Sequence, residues 1–153
     1  MRKCGRLSVS WKVTTKMATI YIAGPMTGYP AFNFPAFTEA AATLRSQGLK
    51  VISPHELDKE HDAADAATAA ASKTGNISDL KQTWGDFLSR DVKVVADEAT
   101  GVALLRNWER SKGAKLEVTV ALLGGKPIYQ YHEAAGLTEL DRTWVKDVLY
   151  ANL

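Results

Sequence analysis

The sequence predicts an α/β fold: a three-layer sandwich around a mostly parallel sheet of four to five strands, flavodoxin- or Rossmann-like. Two observations predict it. Short apolar runs at 19–23, 49–54, 100–105 and 126–131 alternate with segments of helical periodicity. The first two runs and the helix between them make a βαβ unit, which implies parallel strands and a right-handed crossover. No internal repeat is visible.

Each element has its own justification. "TIYIA" (19–23) is a buried strand that runs into "GPMTGYP", a stretch dense in turn residues. "FNFPAFTEAAATLRSQG" (32–48) is a helix with Asn33 or Phe34 at its cap, Pro35 in its first turn and Gly48 at its end. Phe37, Ala40, Ala41 and Leu44 recur there at helical spacing. "LKVISP" (49–54) is the second strand, stopped by Pro54. From His55 to about Ile77 the chain is rich in Ala and Asp with no large apolar residue after Leu57. It reads as a mobile insertion at about 57–77, with at most one weak helix. His55 and His61 match no standard metal-ligand spacing, so they read as part of a solvated charged loop.

"ISDLKQTWGDFLSRDVKVVAD" (77–97) is a second long helix capped by Ser78, and "TGVALL" (100–105) the third strand. "NWERSKG" (107–113) is a loop, followed by a helix, "AKLEVTVALLGG" (114–125), that stops at Gly124-Gly125. "KPIYQY" (126–131) is the fourth strand. "LTELDRTWVKDVLYANL" (137–153) closes the chain as an amphipathic helix, with Leu137, Leu140, Trp144 and Val148 on one stripe. That stripe is either core packing or an oligomer surface.

Composition narrows the class. At 153 residues, with 46% apolar and 24% charged residues, the chain suits one soluble globular domain. The net charge of +2 comes from Arg2, Lys3, Arg6, Lys12 and Lys16; without them the body is mildly acidic, so no nucleic-acid groove is expected. Residues 1–16 lack the apolar stretch of a secretory signal and read as a disordered or mis-assigned leader, with Met17 as the natural start and 17–153 as the domain. Cys4, the lone cysteine, cannot pair internally, which fits a reducing cytoplasm. No apolar run is long enough to span a bilayer.

The informative residues are acids at apolar positions. The stripe Leu80, Trp84, Phe87/Leu88 continues to Asp91 and then Val95, and the stripe Ala114, Val118, Ala121 carries Glu117 on or beside it. A buried carboxylate without a partner costs several kcal/mol, so each needs a reason. One such acid is often a structural acceptor. Two, on separate helices that follow parallel strands, point to the crevice where ligands bind in these sheets. A carboxylate pair across a pocket is the equipment for glycosidic cleavage, one acid attacking or stabilising the anomeric carbon and the other moving a proton.

"IYIAGPMTG" at the first strand, Asp91 on a helix and "SKGAKLEVTVALLGGKPI" (111–128) together resemble the nucleoside 2-deoxyribosyltransferase-like superfamily, and within it the small phage and bacterial branch DUF4406. The resemblance covers about 18–130. It implies that Glu117 is the nucleophile, that Asp91 handles protons at the base or orients the sugar, and that Tyr21 contacts Glu117. Tyr21 also reads as an ordinary buried strand aromatic. Relatives that transfer deoxyribose often carry an aspartate where this chain has Ser111; relatives that hydrolyse deoxynucleoside 5'-monophosphates use Ser-x-Gly there to hold the phosphate. Ser111 and Gly113, with the Gly24, Pro25, Met26, Thr27, Gly28 backbone, are thus expected around the sugar or its 5' end. Ser111 serves equally as a plain helix cap. Trp108 is a base- or sugar-stacking residue or a hydrophobic plug, and Asn33 a cap or a polar substrate contact.

The expected activity is therefore cleavage of the N-glycosidic bond of a (deoxy)nucleoside or its 5'-monophosphate, by hydrolysis or by transfer to a second base. The alternative is a non-catalytic nucleotide-binding or sequestering protein of the same fold. The expected partner is a small nucleoside or nucleotide; no metal or organic cofactor is implied. The resemblance further implies a homo-oligomer in which a neighbouring subunit completes the pocket.

Overall fold

The computed structural model describes residues 18–153; the expectations for residues 1–16, Cys4 and Met17 lie outside them. Five strands form one sheet in the order β2-β1-β3-β4-β5. Thr19–Ala23 (β1), Lys50–Ile52 (β2), Gly101–Leu104 (β3) and Ile128–His132 (β4) run parallel. Gly136–Glu139 (β5) runs antiparallel to β4 at the edge. The predicted class stands.

Side chains alternate across β1, as a strand buried on both faces requires. Ile20 and Ile22 meet Phe37, Ala40, Ala41 and Leu44 of Phe34–Ser46 (α1). Fully burying a Phe or Leu is worth roughly 1.5–3 kcal/mol each, enough to fix α1 on that face. Tyr21 and Ala23 point the other way, into a cluster built by Trp84–Asp97 (α4), Lys112–Leu123 (α5) and Arg142–Ala151 (α6). Helices on both faces make the three layers.

Three elements depart from expectation. The segment read as one weak helix forms two: Pro54–His61 (α2) and Ala63–Ala71 (α3). Pro54 does not merely stop β2; it opens α2, where its missing N–H costs nothing. Asp62 caps α3 by accepting from the Asp65 amide, and Ala66 and Ala69 are buried despite their small side chains. His55 is not in a solvated loop. It is buried between the Ser53 and Thr38 hydroxyls, 2.6 Å and 3.2 Å away, and burial pushes its pKa down.

Helix α4 starts at Trp84, not at Ser78. Thr83 and Asp86 form a reciprocal capping box, which outcompetes Ser78, held in a local turn by Asn76. At the C-terminal end, residues 137–139, the start of the predicted last helix, instead pair with β4, because Ala134 and Gly136 turn the chain at positive φ. The last helix begins only after Asp141, whose side chain accepts from the Trp144 amide. The predicted stripe is thereby split: Leu137 packs on the α1 face, while Val145 and Leu149 are what α6 buries and Trp144 is half-exposed.

Candidate active site

Strand β1 leads to β2 on one side and has β3 on the other, so the sheet's topological switch lies between β1 and β3. The crevice at the carboxyl ends of those strands is where such sheets bind ligands. Here the loops after β1 and β3 come very close: Leu105 donates its amide to the Ala23 carbonyl at 2.9 Å, and a Cβ on Gly24 would sit 2.8 Å from the Leu105 Cβ. Only glycine fits at 24. A cavity of about 480 Å³ opens over this point. It is lined by Gly24, Pro25, Met26 and Thr27 from the first loop and by Ser111, Gly113 and Glu117 from α5. Asp91 of α4 completes that wall.

The two acids of the sequence argument are thus brought together, each only 6% exposed. Beneath them lies Tyr21, fully buried, whose hydroxyl donates to Glu117 Oε1 at 2.9 Å. Burial and the two carboxylates hold the Tyr21 phenol well above its ordinary range, so it stays a donor. Burial, then the neighbouring Asp91 charge, push the Glu117 carboxyl up. Asp91 is pushed up to about 6 by burial, against the opposing pull of Arg90. Two buried carboxyls this strongly coupled share protons, and their titration belongs to the pair.

Arg90 is the counter-charge. Its Nε donates to Asp91 Oδ1 at 2.8 Å and its Nη2 lies 2.6 Å from the same oxygen. The same Nη2 lies 2.8 Å from Oδ1 of Asp58, tying α4 to α2. Arg90 Nη1 is buried with no hydrogen-bond partner among the described residues. Arg90 thus favours charge on Asp91 over charge on Glu117.

At the opposite end of this wall, Ser111 caps α5 by accepting from the Ala114 amide at 3.2 Å. Lys112 and Gly113, whose amides precede the first intrahelical bond, line the cavity together with Arg110. Backbone N–H groups, a helix N-terminus and two cationic side chains suit an anion. Lys112 and Glu117 are five residues apart, about 7.5 Å along the helix axis. Among the described residues no three His, Cys, Asp or Glu side chains are grouped as a metal site needs.

The family described as a domain of unknown function (DUF4406) matches residues 18–79 and 73–130, which span every element that builds this cavity. The chain belongs to the DUF4406 family. No curated protein matches it.

Three expected site residues of this DUF4406 chain do other work. Trp108 is only 2% exposed and packs in the α4–α5–α6 core, so it presents no stacking face; the plug reading is the right one. Asn33 neither caps α1 through its side chain nor lines the cavity; its Nδ2 donates to the Pro25 carbonyl at 2.9 Å and fixes the first loop. Gly28 also stands off the cavity, its N–H given to the Gly75 carbonyl at 2.9 Å. Asn33 ends a run with Ala31 and Phe32 at φ near +50 to +60°, strained for non-glycine residues and held by the Ala31 amide on Ser72.

The sequence argument missed Arg90, Asp58 and Asp65. Arg90 carried a signal, since a guanidinium one residue before an acid at an apolar position is a ready counter-ion. Asp58 and Asp65 carried none, because the segment around them was read as solvated.

Proposed function

We infer that this DUF4406 protein cleaves the N-glycosidic bond of a (deoxy)nucleoside or its 5'-monophosphate. One observation carries the reading: Glu117 and Asp91 line one wall of one cavity, with the Tyr21 hydroxyl on Glu117 and Arg90 on Asp91. The competent form holds one proton on the pair, moved to Asp91 against the pull of Arg90, so that Glu117 is ionised. The Glu117 carboxylate attacks the anomeric carbon. The bond to the base breaks, its electron pair goes to the base nitrogen, and Asp91 supplies the proton there. A glycosyl ester on Glu117 results. Water or a second base then attacks the same carbon, giving its proton to Asp91 and releasing the Glu117 carboxylate. The Tyr21 hydrogen bond favours the ionised glutamate. The α5 N-terminus with Ser111, Gly113 and Lys112 suits a 5'-phosphate, and water or base as acceptor leaves the first half-reaction unchanged.

The test is a panel of deoxynucleosides and their monophosphates, followed for free base by chromatography. Glu117→Gln is expected to lower release by about three orders of magnitude or more. Undiminished release by that variant, or no release from any substrate by the native protein, overturns the mechanism.

A second reading has one observation in its favour. Burial pushes the Glu117 carboxyl up, which suits a hydrogen-bond donor to a held ligand rather than an attacking group. A non-catalytic nucleotide-binding protein is that reading. Nucleotide retained through purification, with no free base formed on long incubation, selects it. Either reading fits a cytoplasmic protein, and among the described residues no helix is long and apolar enough to cross a membrane.

A further inference from the structure

The acids occupy one wall of the cavity; the other is apolar. Helix α4 joins the two. Trp84, Phe87, Leu88 and Asp91 follow each other at i, i+3, i+4 and i+7, on one helical face, and all four line the cavity. Beyond Asp91 that face enters the core at Val94 and Val95. Before Asp91 it is largely open among the described residues: the Arg90 guanidinium stacks over the Phe87 ring at 5.7 Å, but Trp84 is 42% exposed, and Phe87 and Leu88 are only half-buried. Facing it are Phe32, Ile77 and Leu80, part of a satellite apolar cluster. The Asp65 carboxylate on this side is already engaged: it accepts from the Lys81 and Gln82 amides and from Gln82 Nε2.

This arrangement bears on the leaving group, and it rests on the reading that Asp91 protonates it. The sugar and its 5' end lie toward the α5 N-terminus, so a base over Asp91 extends along the two preceding turns of α4, past Leu88 and Phe87 to Trp84. An unmodified base presents several ring nitrogens and exocyclic groups on its far edge. Against the Phe87 and Leu88 side chains they would lose water without gaining partners, which a site for bare bases avoids. We propose that the Trp84–Phe87–Leu88 wall is a subsite for an apolar substituent, so that the preferred substrate is a nucleotide or nucleoside whose base carries an alkyl or aryl group on the edge remote from the glycosidic nitrogen.

The experiment compares deoxyadenosine 5'-monophosphate with the same nucleotide bearing a phenylethyl group on its exocyclic amine. The substituted nucleotide is expected to show kcat/KM higher by about tenfold or more. Trp84→Ala and Leu88→Asn, each checked for an unchanged circular-dichroism spectrum, should bring the ratio of the two substrates to about one. Affinities of both nucleotides for Glu117→Gln, measured by calorimetry, separate binding from chemistry. Tighter binding of the substituted nucleotide without turnover upholds the subsite and removes the cleavage reading. Turnover of both with no preference, or a preference untouched by either variant, overturns the subsite and leaves the cleavage reading standing.

Discussion

Asp65 and the pair Asp91–Glu117 line the same cavity and expose as little surface, 4% and 6%, but Asp65 lies under a far thinner layer of protein, and they stand in opposite electrostatic states. Burial pushes the Asp65 carboxyl up, but the Lys81 and Gln82 amides and the Gln82 side chain outweigh it and hold the carboxyl below the usual range. At Asp91 and Glu117 burial wins, and both carboxyls are held above it. The first acid is fully used in holding the 80–83 segment to α3. The other two are left with unspent capacity on a wall reachable from the cavity. Buried acids tuned upward and clustered in a cleft are candidates for chemistry; a buried acid tuned downward by backbone amides is structure. The comparison predicts that variants on the Asp65 side only destabilise, whereas one on the acid side stabilises.

The largest effect on stability is expected at the joint between the two sides. Arg90→Met leaves Asp58 and Asp91 buried with no counter-charge, a change of about 3–5 kcal/mol by analogy with broken buried pairs. Denaturant midpoints measure it, and Arg90→Lys should recover part of the loss. The same variant tests the pair's titration. Arg90 lowers the Asp91 pKa, so without it that pKa rises further above about 6. Base release, which needs a singly protonated pair, should then begin its rise at higher pH than in the native protein. An unchanged acid limb means that Arg90 does not tune Asp91.

Asp65→Ala comes next. It removes three hydrogen bonds to one carboxylate, with an expected cost of roughly 2–3 kcal/mol. The loss is local. Amide exchange at Lys81 and Gln82 should accelerate strongly while Val102, inside the sheet, keeps its protection. Its pH sign is that of a depressed carboxyl: the contribution is present above the unfolded pKa and fades as pH falls through the folded one. Equal acceleration at both places would show that α3 and the sheet open as one unit.

The acid side was legible in the sequence and the outer side was not, for a physical reason. Tyr21, Asp91 and Glu117 sit on regular elements whose periodicity says which positions face inward, so an acid out of pattern is visible. Ser111 and Gly113 sit at a helix start with recognisable chemistry. The outer wall uses alanines, one-turn segments and backbone pairing instead. Gly75, at φ +66°, packs so tightly against Tyr29 that a Cβ would lie 2.2 Å from its carbonyl oxygen, and Ala31 and Gly28 donate to Ser72 and Gly75. Main-chain contacts across 40-odd residues leave no hydrophobic period to read. Trp108 misled for the converse reason: an aromatic in a polar loop looks available until the core closes over it.

Asn33→Ala probes that stitched loop with a smaller effect, about 1–2 kcal/mol, from the lost bond to Pro25 and the poorer left-handed propensity of alanine. Because Pro25 lines the cavity and Asn33 does not, KM should rise more than kcat falls. A fall in kcat alone would place Asn33 nearer the chemistry than its hydrogen bond implies.

The smallest effect has the opposite sign, and it decides the comparison. Glu117 titrates higher in the folded protein than in the unfolded chain, because burial and Asp91 disfavour its charge. A group with a raised folded pKa is fully compatible with folding below its unfolded pKa, and its stabilising protonation is lost as pH rises through the folded value. Glu117→Gln keeps an acceptor for the Tyr21 hydroxyl and cannot ionise. Its melting temperature should therefore exceed that of the native protein by a few degrees, about 1 kcal/mol, at pH 8. At pH 4.5, where the native glutamate is protonated when folded, the two proteins should melt together. A variant that melts lower at both pH values would mean that Glu117, like Asp65, is part of the construction, and the acid wall would lose its claim to be held ready for a ligand.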